Sequence, residues 1–105
     1  MFVKILGFDQ LINGNKVSKE CAVDLNPTIQ YPVLVAFDPD MKVGTAELEV
    51  RDDGVYADIK PGKKAAQVDQ AKFIPQLKGH VSEKVNNVVT AIRPIAVGLV
   101  KKEPT

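Results

Sequence analysis

The chain has 105 residues, enough for one compact domain that buries a core without disulfides or a structural metal. Hydrophobic residues make up 45% and charged residues 26%, which excludes wholesale disorder. The net charge of +1 offers no bulk attraction for nucleic acid or an acidic membrane, so neither is an expected partner.

Phe2 to Leu6 reads as a first strand, and Asp9 begins a less regular connection. Met1 to Gly7 is too short for a signal peptide, and no apolar run approaches the ~18–20 residues that cross a bilayer. The expectation is a soluble protein that is not secreted. Asn13-Gly14-Asn15 marks a turn, because Asn and Gly tolerate positive φ. From Val17 to Leu25 the residues alternate, with Val17, Lys19, Cys21, Val23 and Leu25 on one side, a half-buried strand in which Lys19 is the misfit. Cys21 is the single cysteine, which fits a reducing compartment and the role of a small buried hydrophobe. Asn26-Pro27 ends that strand, since proline cannot donate to a ladder.

Pro32 to Phe37 is apolar on both faces, as in a central strand covered on both sides. Asp38-Pro39-Asp40 supplies a tight turn with proline at its second position. Then Ala46, Leu48 and Val50 share one face, opposed by Thr45, Glu47, Glu49 and Arg51. After Asp52-Asp53-Gly54, the residues Val55, Ala57 and Ile59 share a face, opposed by Tyr56, Asp58 and Lys60. Directly opposed residues of a hairpin lie on one face, so only an even loop matches the apolar sets. A two-residue Asp53-Gly54 turn pairs Val50 with Ala57, and a four-residue loop pairs Val50 with Val55. Asp-Gly favours the first.

Pro61-Gly62 stops the hairpin. Residues 65–74 are expected to form a short helix with Ala65, Val68, Ala71 and Ile74 on one side and Pro75 ending it. Gly79 to Lys84 is an exposed strand or loop. Val85 to Arg93 and Ile95 to Lys101 are strand-like and split by Pro94, which implies a bend, a bulge or an edge. Residues 101–105 form an expected mobile tail. The sum is one mainly β (α+β) domain over 1–105. It is an antiparallel β-rich sheet or partly open barrel with one short helix around 65–74.

Chemistry is sparse. The hydroxyl nucleophiles are Ser18, Ser82 and four threonines, and His80 is the sole imidazole. On a strand, Ser82 and His80 would share a face with Cα atoms about 7 Å apart, which makes them the candidate dyad of a small hydrolase. Asp38 and Asp40 resemble the start of a calcium loop, but Lys42 stands at the next alternate position and turn formation explains them. One His and one Cys make no metal-ligand pattern, so no metal or cofactor is expected. Gly62-Lys63-Lys64 lacks the glycine spacing of a phosphate loop. Lys60, Lys63, Lys64, Lys72 and Lys78 read as a solvated surface. Tyr56, facing outward beside Arg51 and Glu49, is the one candidate stacking platform and fits better as a cross-strand packing partner.

The order from Val33 onward is a strand, Phe37-Asp38, a short turn, Val43-Gly44-Thr45-Ala46, an acidic hairpin tip and Gly54-Val55-Tyr56. It resembles the tailed-phage prohead protease family, in which a strand ending in His-Asp is followed by Ile-Gly and an Asp-Gly-Leu hairpin. Ile95-Ala96-Val97-Gly98-Leu99-Val100 resembles that family's closing strand, which carries the nucleophilic serine. The resemblance places the family's histidine on Phe37 and its serine on Gly98, and neither residue can do that chemistry. It implies a phage or prophage structural or assembly protein on a protease-like β core, in the host cytoplasm or associated with the virion, acting through contacts with itself or with a capsid or tail component. A divergent serine hydrolase using His80 and Ser82, and a generic peptide-binding β module, are the alternatives.

Overall fold

Among the described residues of the computed structural model (2–9, 11–12, 14–26, 28–64 and 72–101), every regular element is a strand. They are β1 (Phe2–Gly7), β2 (Leu11–Ile12), β3 (Asn15–Val23), β4 (Tyr31–Val35), β5 (Lys42–Arg51), β6 (Gly54–Pro61), β7 (Phe73–Val85) and β8 (Val88–Lys101). They join one sheet in the order β1-β6-β5-β4-β8-β3-β2, with β7 on β8. The domain is mainly β, as the alternation implied. The sheet is mixed, however: β8 runs parallel to β3 and to β4, while the other pairings are antiparallel. Connections from β3 and β4 return to β8 only after long excursions, which local alternation cannot announce.

β4 sits at the centre of the order, flanked by β5 and β8, and Tyr31, Val33 and Leu34 are buried, as its two-faced apolar run demands. β8 is paired with β7 along its length on one side. On the other it pairs first with β3, through Val88 to Ile92, and then with β4, through Val97 to Leu99. The sheet curls until β7 comes near β1, and no ladder joins them, which leaves a partly open barrel. Its core gathers Ile5, Leu6, Val17, Val33, Val55, Ala57 and Val97.

The β5–β6 hairpin keeps the deduced faces but turns one residue earlier than Asp53-Gly54. Arg51 opposes Gly54, Val50 opposes Val55 and Leu48 opposes Ala57, so Asp52-Asp53 forms the loop. Gly54 is required inside the strand: a Cβ there would overlap the Leu6 carbonyl oxygen of the neighbouring β1. Val50 lies on the apolar face yet is 42% exposed, because the core ends before the hairpin tip.

Two further expectations are corrected and one is narrowed. Phe73 and Ile74, assigned to the helix, belong to β7, where Phe73, Pro75 and Leu77 alternate inward against exposed Ile74, Gln76 and Lys78; the rest of that segment, 65–71, lies outside the described residues. Pro75 is tolerated because β7 has a ladder partner on one side only. Of the bend, bulge or edge expected at Pro94, the irregular register of a bulge is what occurs, and the edge is not. Pro94 lies inside β8 at a register shift, where Lys78 opposes Ala96 and Gly79 opposes Pro94. It falls between the β3-paired and β4-paired stretches, so its missing N–H breaks no bond to either. Lys101, assigned to the tail, closes β8 opposite Phe73, and 102–105 lie outside the described residues. The Lys19 misfit is also explained: β3 shifts register on β8 between Val17 and Ala22, and Lys19 lies in that bulge, paired with Asp9 at 3.3 Å.

Candidate functional site

β4 ends in a turn that puts its last apolar side chain outside the core. Ala36 and Phe37 have φ of 52° and 58°, and Asp38 N–H donates to the Val35 carbonyl at 2.9 Å. Two consecutive left-handed residues make a primed turn, normally the province of Asn and Gly. In Ala and Phe this conformation costs about 1–2 kcal/mol per residue, so the surrounding structure must hold it. Ala36 N–H donates to the Leu99 carbonyl at 2.9 Å. The following Asp38-Pro39-Asp40 turn forms as deduced, with Met41 N–H on the Asp38 carbonyl at 3.0 Å and Asp40 N–H on Asp38 Oδ1 at 2.9 Å.

The second restraint is the Phe37 ring itself. Val97 and Leu99 point into the core, so the intervening Gly98 faces the other way. On that outer face the ring lies against Gly98: a methyl group there would meet Cζ at 2.6 Å and overlap Cδ1 and Cε1. Lys78, whose strand neighbour Gln76 opposes Gly98, holds its ammonium 5.9 Å from the ring centroid. Phe37 and Gly98 are thus in direct contact although 61 positions separate them. They are the two positions on which the prohead-protease resemblance puts its histidine and serine. The contact contains no proton acceptor and no nucleophile.

The candidate dyad fares differently. His80 and Ser82 are both exposed on β7, but the ladder skips Ser82: Val81 opposes Ile92 and Glu83 opposes Ala91. The bulge breaks the alternation that would have set the two on one face. No side-chain hydrogen bond joins them, and His80 stands opposite the cation Arg93. Cys21 is buried, its thiol pushed up from the ordinary value by that burial, with Sγ 3.7 Å from the Ala22 carbonyl. A thiol so placed is a poor nucleophile.

Tyr56 is a packing partner. The Arg51 guanidinium lies 4.3 Å from its ring centroid and 5.4 Å from that of Phe2, and Tyr56 donates its hydroxyl to Asp53 Oδ2 at 2.8 Å. Asp53 is held below the usual carboxylate range by that hydroxyl first and by Lys4, 3.2 Å away. Glu47 and Glu49 pair with Lys60 and Arg51 at 3.3 and 2.7 Å, so this outer face neutralises its own charges.

A cavity of about 260 Å³ opens where the barrel fails to close, lined by Val3, Val33, Val43 and Leu99 with Ile59 and Pro61 of β6 and Phe73 and Pro75 of β7. No cluster of three or more His, Cys, Asp or Glu able to hold a metal occurs among the described residues. Among them no helix is long and apolar enough to cross a membrane. Comparison of the chain with family models, with curated proteins and with solved structures gives no match.

The outer-face contact was invisible from local sequence because an aromatic at the end of an apolar run reads as core. Its only sequence signal is the resemblance that aligns both positions with reacting residues.

Proposed function

We propose that this domain is a non-catalytic structural or assembly protein of a phage or prophage, built on a protease-like β core and working through protein contacts. The observation that carries the reading is the Phe37 ring seated on Gly98. Two positions that the resemblance aligns with a catalytic histidine and serine meet in the fold, as positions of a reacting pair must. Their occupants, a phenyl ring and a glycine, fill the place without chemistry. A strained turn holds the ring there, and strain of that kind persists where the surrounding structure over-determines it. Fold kinship alone would not supply a function, so the test addresses activity and assembly separately.

A fluorophosphonate probe and generic ester and peptide substrates are expected to find no reactive serine. Turnover abolished by Ser82→Ala or His80→Ala would overturn the non-catalytic half. A tagged chain, expressed in the lysogen that encodes it, is expected to co-sediment with proheads or tails after induction. Recovery only at the top of the gradient would overturn the assembly half.

A further inference from the structure

β7 is a strand of 13 residues that ladders, among the described residues, to β8 alone. Its Phe73–Pro75 end comes beside β1, where Val3 shares a cavity wall with both. From Lys78 to Val85 every residue except Gly79 is exposed, Val81 and Val85 at 42% and 53%. A long strand with one unladdered edge presents a row of backbone donors and acceptors ready for another strand.

The charge around that edge is one-sided. Beside the 78–85 stretch stand three cations, Lys78, Lys84 and, opposite His80, Arg93, against the single carboxylate Glu83, while Lys72 and Lys101 lie at the far, Phe73 end of the hairpin. None of the five enters an ion pair among the described residues, whereas Lys4, Lys16, Lys19, Arg51 and Lys60 all do. Glu83 accepts the Thr90 hydroxyl at 2.7 Å.

We propose that the free edge of β7, Lys78 to Val85, takes up an acidic extended segment of another protein as an added strand. This rests on the reading of the domain as one that works through protein contacts, and names the partner's chemistry. Main-chain hydrogen bonds would hold the segment, and its carboxylates, all on one face, would fall across from Lys78 or from Lys84, which the bulge at Ser82 puts on opposite faces of β7. A second copy fits the edge poorly, because its own β7 would set lysines and His80 against the same cations. This chain's acidic strands are not free to bind either: β5 lies between β4 and β6, and β6 between β5 and β1.

The test uses the intact protein with three labelled peptides of one length: an alternating Glu/Val peptide, its Lys/Val counterpart, and the acidic peptide with N-methylated central amides. Fluorescence anisotropy reads binding, and amide exchange reads its location. The acidic peptide is expected to bind, to slow exchange at residues 78–85, and to lose about tenfold in affinity in Lys78→Glu/Lys84→Glu. N-methylation is expected to abolish binding. Both substitutions are at exposed sites, and an unchanged melting curve verifies that the variant folds. Equal binding of the acidic and basic peptides overturns the proposal. So does protection elsewhere, or no binding at about 1 mM peptide. Protection of the same amides in the protein alone, rising with concentration, assigns the edge to a second copy and overturns it too. Co-sedimentation with particles is independent of these outcomes, so failure here and failure of the assembly reading are distinguishable.

Discussion

Gly98→Ala is the substitution that most directly interrogates the ring contact. The added methyl would meet Cζ of Phe37 at 2.6 Å and overlap two further ring carbons, so either the ring or the β8 backbone must move. β8 is held by β7 on one side and β4 on the other, so the ring is the part that yields. Yielding displaces the turn that Ala36 and Phe37 make in the left-handed region. Overpacking of this kind costs about 1–3 kcal/mol. For a domain of this size that lowers Tm by roughly 5–20 °C. Phe37→Ala alone removes a half-buried ring and is expected to cost about 1–2 kcal/mol. In the double variant the new methyl has nothing to strike, so Gly98→Ala should then cost almost nothing. Urea denaturation of the four proteins measures the cycle, and a coupling of about 1–3 kcal/mol is the expected result. Additivity within about 0.5 kcal/mol would mean that the ring does not rest on Gly98, and the argument built on that contact would go with it.

The hairpin faces predict that Val55→Asp unfolds the domain, because Val55 is fully buried and an unpaired charge there costs several kcal/mol. Val50→Asp, at a 42% exposed position on the same face, should cost under about 1 kcal/mol, and equal melting temperatures for the two would contradict the register. Cys21 should react with a thiol reagent at least about tenfold more slowly in the folded protein than in urea; equal rates would show the thiol to be accessible. Asp53 titrates below 3.8 when folded, held there by the Tyr56 hydroxyl and then Lys4. Its contribution is therefore present above 3.8 and lost as pH falls through the folded value. The difference in urea midpoint between wild type and Asp53→Asn should accordingly shrink from about pH 6 to about pH 2.5. A constant difference would detach Asp53 from that network.

Where the sequence speaks through period two and turn chemistry, it is legible. The alternation of Ala46, Leu48, Val55, Ala57 and Ile59 determines which faces meet, and Asp38-Pro39-Asp40 determines its own turn. The hairpin loop slipped by one residue because Gly54 was read as a turn glycine. It is needed instead where β1 passes close, a tertiary reason that the local string does not carry. β7 was read partly as a helix because Ala65, Val68, Ala71 and Ile74 recur at helical spacing and Pro75 resembles a stop. Its hairpin partner hid behind Asn86-Asn87, whose φ values of 51° and 65° make the two-residue turn that joins Val85 to Val88. Two adjacent asparagines make the primed turn here, since asparagine tolerates the left-handed region. The parallel ladders of β8 with β3 and β4 join residues far apart in sequence and leave no local trace.

The candidate site follows the same division. His80 and Ser82 are two residues apart and looked like partners on that ground alone, and a bulge at Ser82 parts their faces. Phe37 and Gly98 are remote in sequence and touch. A general base needs a third group to orient it and to stabilise the positive charge it acquires. The Lys78 ammonium stands 5.9 Å from the centroid of the Phe37 ring and would oppose an imidazolium at position 37 rather than support one. The same lysine suits a phenyl ring, whose electron-rich face attracts a cation. It also lies on the free edge of β7, among unpaired cations that an acidic strand would neutralise. On the proposed reading, Lys78 belongs to a surface that holds another chain, and the charge it carries would work against a histidine base at position 37.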